Sequence, residues 1–296
     1  MTLDLFVFSD ILYSMSRELP KRRYGKTGIN MPILALGGAG VLQDISRKRE
    51  AIEIIREAID SGVYYLDTAQ QYRDSERIFG EAIDGRRREV FLSTKSARRD
   101  YDGAWRDLEN SLKRLRTDRL EQWIVHHVSY PREIEPLFAP DGAIKAFQQA
   151  KEQNIVKYVG ISGHNDPEVL KTAMERFPFE MVLVPLNPTE PHHPRAFTKE
   201  FLEYARRKGV GIAVMKVMGV GRLVGEGRFA VSELFRYALS FPIHTAVILP
   251  NSLRELRELV QAAREFKPFS PAERAALEER GKPLMQQVAG MYHQWH

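Results

Sequence analysis

Apolar and polar positions along the chain alternate between two patterns. Short runs rich in β-branched and aromatic residues, apolar almost without interruption, recur eight times. They fall at 33–38 (ILALGG), 63–69 (VYYLDTA), 90–95 (VFLSTK), 121–128 (EQWIVHHV), 157–163 (KYVGISG), 181–187 (MVLVPLN), 211–217 (GIAVMKV) and 245–250 (TAVILP). Between them lie longer stretches with apolar residues every three or four positions. RKREAIEIIREAIDSG puts Ala51, Ile54, Ile55 and Ala58 on one stripe, and GAWRDLENSLKRL does the same with Trp105, Leu108, Leu112 and Leu115. The first pattern predicts strands buried on both faces, as parallel strands are, and the second predicts helices with one face on a core. A mean strand spacing of roughly thirty residues leaves room for a crossover helix after each strand. No break in composition divides the eight units, so the expected fold is α/β, a single (β/α)8 TIM barrel. Ahead of the first strand, RRYGKTGINMP has turn residues at its centre and predicts an N-terminal hairpin capping the barrel bottom. After the eighth helix, SPAERAALEERGKPL begins with an N-cap at Ser270 followed by proline and predicts one extra C-terminal helix. The barrel is expected over 21–290, with an N-terminal extension at 1–20 and a C-terminal tail at 291–296.

Composition narrows the class. With 296 residues, 43% of them hydrophobic, the chain can bury a large core in one domain. No stretch approaches the roughly 20 unbroken apolar residues of a membrane-spanning helix, so no membrane partner is expected. The segment MTLDLFVFSDILYS is interrupted by Asp4 and Asp10 and lacks a basic leader and a cleavage site. A signal peptide is therefore not expected, and the cytoplasm is the expected location. Cysteine is absent, which excludes intrachain disulfides, thiolate metal ligands and cysteine-held iron–sulfur clusters. The net charge is +5, yet 44 basic and 39 acidic residues are interspersed and the runs KRRYGK and GRRRE are short. No nucleic-acid partner is expected. The adjacent histidines of HHP at 192–194 lack the i, i+4 spacing of a helical metal pair and read as a surface loop, so no metal is expected.

Barrel chemistry collects at the C-terminal ends of the strands. Asp67 closes the second strand, Lys95 the third and His126 the fourth, and Tyr72 sits in the loop after the second. Neighbouring strands lie about 4.8 Å apart, so these side chains can meet in one pocket. A tyrosine with an ordinary pKa near ~10 is a weak acid at neutral pH unless a cation favours its ionised form. Lys95 supplies that cation, Asp67 holds Lys95 in place, and His126 can hydrogen-bond an incoming oxygen. Such a set suits proton donation to a carbonyl oxygen as its carbon accepts a hydride. The hydride must come from a cofactor, because no side chain delivers one.

LDTAQQYRDSE, FLSTK and WIVHH together resemble the Asp-Thr-Ala-x-x-Tyr-x-x-x-Glu, lysine-bearing and histidine-bearing strands of the aldo-keto reductase superfamily, over roughly residues 20–270. The resemblance implies the barrel fold and a catalytic set of Asp67, Tyr72, Lys95 and His126, with Tyr72 as general acid and His127 as the rival of His126. GISGHN is similar to the family's Gly-x-Ser-Asn segment, which implies Ser162 and Gly163 at the nicotinamide carboxamide, although Gly163 stands where asparagine is usual. Leu183 stands where glutamine is usual, while Asn187 matches a common asparagine. Lys216 takes the place of the common stacking aromatic, and Gly219 after it, like Gly38 in loop one, is expected beside the cofactor. In PNSLRELRELVQ, Ser252, Arg257 and Gln261 match the adenosine-phosphate segment, with Asn251 replacing a frequent lysine. A guanidinium at Arg257 suits a 2′-phosphate, so NADPH is the expected cofactor and NADH its alternative. Substrate contacts are expected from Val41 and Leu42, from His127, Val128, Ser129 and Tyr130, and from Trp105; the tail MYHQWH reads as a frayed terminus, although C-terminal segments of the family can reach over the pocket. The implied function is NADPH-dependent reduction of an aldehyde or ketone to an alcohol, or the reverse, with a small carbonyl or alcohol as substrate and the oligomeric state left open. The alternative, motivated by Gly163 and Leu183, is an NADPH-binding regulatory or sensing subunit with little turnover.

Overall fold

Two short antiparallel strands, β1 (Lys21–Arg23) and β2 (Asn30–Pro32), precede eight parallel strands that close on themselves in chain order. These are β3 (Leu34–Gly37), β4 (Tyr65–Asp67), β5 (Phe91–Ser96), β6 (Leu120–Val125), β7 (Val156–Ser162), β8 (Met181–Pro185), β9 (Gly211–Met215) and β10 (Thr245–Ile248), and β10 pairs back to β3 through Ala246↔Leu34. The computed structural model describes residues 18–292. Residues 1–17 of the expected extension and 293–296 of the expected tail lie outside them. Each of the eight predicted strands is present, mostly shorter than its apolar run. β4 covers three residues of the predicted seven; beyond it the Thr68 amide still donates to Ser93 O at 2.9 Å and the Gln70 amide to Lys95 O at 3.2 Å.

Among the described residues the surrounding helices are α1 (Lys48–Asp60), α2 (Ser75–Ala82), α3 (Tyr101–Leu115), α4 (Ile134–Phe138), α5 (Ala143–Glu152), α6 (Pro167–Arg176), α7 (Phe201–Lys208), α8 (Val231–Leu239) and α9 (Leu253–Arg264). The single extra helix expected at the C-terminus is in fact two, α10 (Pro271–Gly281) and α11 (Met285–Tyr292). A 3₁₀ turn at Lys282–Leu284 separates them, since Pro283 has no amide to continue the ladder of α10. Ser270 caps α10 as expected, accepting from Glu273 N while Glu273 accepts from Ser270 N at 2.7 Å. None of the helices among the described residues is long and apolar enough to cross a membrane.

The period of two along each strand divides the core into two shells. Inside the barrel, Ala35, Tyr65, Phe91, Ile124, Met181, Leu183, Ala213 and Val247 pack together. Their neighbours in sequence, such as Leu66, Leu92, Trp123, Val125 and Val182, face the helices and join a second, larger cluster. Trp123 stacks on Phe147 of α5, with ring centroids 3.6 Å apart. Each large side chain buried in this way contributes about 1.5–3 kcal/mol. The barrel floor is closed from below by the β1–β2 hairpin, as the turn residues predict. Tyr24 inserts from it, 6.3 Å from Tyr65 ring to ring, and Tyr65 meets Phe91 edge-on at 5.0 Å. With the floor filled by aromatics, the open end is the one where the strands finish.

Candidate active site

Inward-facing alternation continues past the apolar layers and brings charged groups to the barrel mouth. On β4 the inward residues are Tyr65 and then Asp67; on β5 they are Phe91, Ser93 and then Lys95, with Asp67 in register with Ser93. Lys95 Nζ donates to Asp67 Oδ2 at 2.5 Å and to Thr68 O at 2.7 Å, and both side chains are buried. Tyr72, half-buried in the turn after β4, lies over this pair with Lys95 Nζ 5.2 Å from its ring centre. His126, next inward position after Ile124, meets the Tyr72 ring edge-on at 5.8 Å and donates its amide to Ser96 O at 2.8 Å. The four predicted residues therefore converge.

Burial dominates their titration. It pushes the Tyr72 phenol above the usual tyrosine range; Lys95 opposes the shift and Asp67 reinforces it. The lysine thus acts on the tyrosine in the expected sense, but it does not outweigh desolvation. Burial also raises the Asp67 carboxyl against the pull of Lys95, and it drives His126 well below the ordinary histidine range, helped by His127 and Lys95. His126 is accordingly a neutral imidazole.

A second feature lies between β6 and β7. In a regular strand His127 would point away from the mouth, but its φ of +43° turns it inward, and its ring sits 4.7 Å from that of His126. Ser162 holds this strained residue: its Oγ accepts from His127 N at 2.9 Å and donates to Val125 O at 3.3 Å. Six non-glycine residues among those described have positive φ, and four of them, Arg73, His127, Lys216 and Val220, line or adjoin the mouth. Strain of this kind concentrates where a site is shaped.

A groove of about 970 Å³ runs from the Asp67–Tyr72–His126 end across the strand ends to α9. Of the predicted cofactor and substrate residues, Gly38, His127 and Lys216 line it. A side chain on Gly38 would run into the Ser75 hydroxyl, so only glycine keeps that wall flat. Burial brings the Lys216 ammonium down to about 7. The barrel-interior side chain at the end of β9 is Met215 rather than Lys216, because alternation from Ala213 reaches 215. Other predicted residues are placed elsewhere. Ser162 and Gly163 serve the β6–β7 junction, and Asn187 holds the Lys216 carbonyl at 3.1 Å and accepts from Thr189. Gly219 is buried against Leu223, Ser252 caps α9, Arg257 pairs with Glu57 of α1 at 2.5 Å, and Gln261 donates to Glu265. Val41 and Leu42 are core residues, and Tyr130 starts a helical turn, with its amide 2.9 Å from Glu133 Oε2. His192 of the HHP loop contacts the Glu278 carbonyl at 2.7 Å, so that loop docks on α10.

The groove also gathers residues that sequence reasoning did not single out, among them Gln43, Gln71, His164, Met215 and Glu255. His164 was within reach, since it follows a barrel strand at its C-terminal end, where sites form. Glu255 carried no signal beyond an ordinary helical acid.

A closed barrel whose mouth joins a buried Lys–Asp pair, a tyrosine and a neutral imidazole beside a long groove has the architecture of a proton-transfer enzyme with room for a large ligand. The family model described as "Aldo/keto reductase family" matches residues 34–275, and the chain belongs to that family, one of oxidoreductases. The chain is 31% identical to oxidoreductase YqkF of Bacillus subtilis (strain 168) over 170 residues, covering 53% of this chain and 52%, about half, of that relative. It is 26% identical to the glyoxal reductase of the same organism over 255 residues, 79% of this chain and 83% of the relative. An aldo-keto reductase of Klebsiella pneumoniae, solved in complex with NADPH, shares the fold at a TM-score of 0.72 and 19% identity, covering 89% of this chain and 95% of that one.

Proposed function

We propose that this chain is an NADPH-dependent reductase that converts an aldehyde or ketone to its alcohol, or runs the reverse reaction, with Tyr72 as general acid. The observation that carries the reading is the buried Lys95–Asp67 pair beneath Tyr72, with His126 edge-on beside it. Family membership and an NADPH-bound structural relative support the cofactor. The groove fits it, with a glycine wall at Gly38 and a length that reaches Asn251 and Glu255. Arg47, which pairs with Glu50 at 2.8 Å and donates to Asn251 O at 3.2 Å, and Arg257, which pairs with Glu57, both stand near that end. When bound, the dihydronicotinamide supplies the hydride. Tyr72 keeps its proton at Oη until a carbonyl oxygen arrives and gives it up as negative charge develops there. Lys95 stabilises the phenolate that remains, and Asp67 together with Thr68 O fixes the ammonium beneath the ring. His126, a neutral imidazole, hydrogen-bonds the same oxygen and orients it. The small carbonyl compound is the partner of this site, and the glyoxal reductase relative makes a reactive aldehyde or dicarbonyl a sensible first substrate. The proposed location is the cytoplasm, where a dissociable nicotinamide cofactor is in supply.

The test is the fall in absorbance at 340 nm with NADPH and a reactive aromatic aldehyde, parent beside Tyr72→Phe. Loss of general acid catalysis predicts a rate reduced about 10²–10⁴-fold with NADPH affinity little changed. A variant within threefold of the parent would remove Tyr72 from the role. NADPH binding without turnover in either protein would instead favour the sensing alternative.

A further inference from the structure

The groups that hold a nicotinamide carboxamide by resemblance are all unavailable here. Ser162 is fully buried and spends its hydroxyl on His127 N and Val125 O. Gly163 has no side chain and cannot acquire one: a Cβ there would lie 2.5 Å from Val128 O and 2.9 Å from Leu170 Cδ2. Leu183 lines the groove with an apolar surface. The next residue, His164, lines the groove. His164 Nδ1 is buried and, among the described residues, has no hydrogen-bond partner. An orphaned buried nitrogen costs about 1–3 kcal/mol, and this one belongs to a ring that lines the groove, where a bound ligand atom can complete it. Burial and the neighbouring cations Lys216 and Lys95, with His127, hold this imidazole well below the ordinary histidine range, so it is neutral and offers one donor and one acceptor nitrogen. A carboxamide, with a carbonyl oxygen and an NH₂, matches either nitrogen.

We infer that His164 is the residue that binds the nicotinamide carboxamide in this chain, replacing the side chains absent at Gly163 and Leu183 and the hydroxyl committed at Ser162. This rests on the nicotinamide-dependent reading above and deepens it. His164 would thereby select an amide-bearing ring.

The experiment is calorimetric titration of the parent, His164→Leu and His164→Asn with two ligands: NADP⁺, and 2′-phospho-ADP-ribose, which is NADP⁺ without its nicotinamide. His164→Leu is expected to raise the Kd for NADP⁺ on the order of tenfold, the equivalent of one lost hydrogen bond, and to leave the Kd for the fragment within twofold. His164→Asn, which restores an amide to the same wall, is expected to recover most of the affinity. An unchanged Kd for NADP⁺ in His164→Leu, or an equal loss for both ligands, overturns the assignment. A parent that binds neither ligand overturns the cofactor reading itself, and this inference with it.

Discussion

Lys95 is held by two oxygen acceptors at a position only 1% exposed, and Asp67 is 3% exposed beside it. Two charges taken out of water in this way are individually expensive, and each is tolerable only because of the other. Lys95→Met therefore leaves the Asp67 carboxylate without its cation. The expected loss of stability is about 3–5 kcal/mol, read from urea denaturation midpoints, while the double variant Lys95→Met/Asp67→Leu regains much of it because neither charge remains. Equal destabilisation in the single and double variants would contradict the coupling. The same pair illustrates how well single residues can be read. Asp67, Lys95 and His126 were legible because each is a polar residue closing an apolar run, a position that has no packing reason to be polar, and Tyr72 because it follows one of them in the adjoining loop. Arg257 is harder to read: on an exposed helix face an arginine finds whichever acid lies near, and here that is Glu57.

Between β6 and β7 the period of two fails. His126 and His127 both reach the mouth, which takes a left-handed residue, and the acceptor that stabilises it is a serine 35 positions away. Gly163 completes the junction by allowing Val128 O and Leu170 to close on its Cα. Restoring the more common residue should consequently do harm. Gly163→Asn is expected to destabilise the chain by about 1–3 kcal/mol through overpacking, and Ser162→Ala by about 1–3 kcal/mol through the buried His127 amide it strands. Thermal or urea unfolding checks both, and a Gly163→Asn protein as stable as the parent would show that the junction has more room than its contacts indicate. The helices, by contrast, follow their apolar stripes closely, since a stripe of Ala51, Ile54, Ile55 and Ala58 can only face a core.

Among the described residues, burial holds the imidazoles of His126 and His164 well below the ordinary histidine range and lowers that of His244 as well. All three have folded-state pKa values below the ordinary value, so the unfolded chain takes up more protons as pH falls. The stability they contribute is complete above about pH 6.5 and declines below it, by at most about 1.4 kcal/mol per pH unit for each. Glu190, pushed up to about 7 by burial, acts in the opposite direction, which makes the absolute slope a sum over sites. The difference between variants isolates one of them. His164→Asn is expected to lose less stability than the parent between pH 7.5 and 5.5, measured by urea midpoints; parallel losses would mean that His164 is not held neutral by the fold.

What could be known from the chain alone followed from periodicity and from polar residues in apolar places. Eight runs at regular spacing require parallel strands with crossover helices, and closure into a barrel buries every edge. The polar ends of three adjacent strands then converge whatever the loops do. Loop geometry is different, because it depends on contacts between segments far apart in sequence. That Val41 and Leu42 join the core, that Met215 rather than Lys216 ends β9 on the barrel interior, and that Ser162 serves His127 are outcomes of packing. No local pattern encodes them. His164 belongs to both accounts: its position after a barrel strand was visible in the chain, but that its Nδ1 is buried and, among the described residues, without a hydrogen-bond partner is decided by tertiary packing.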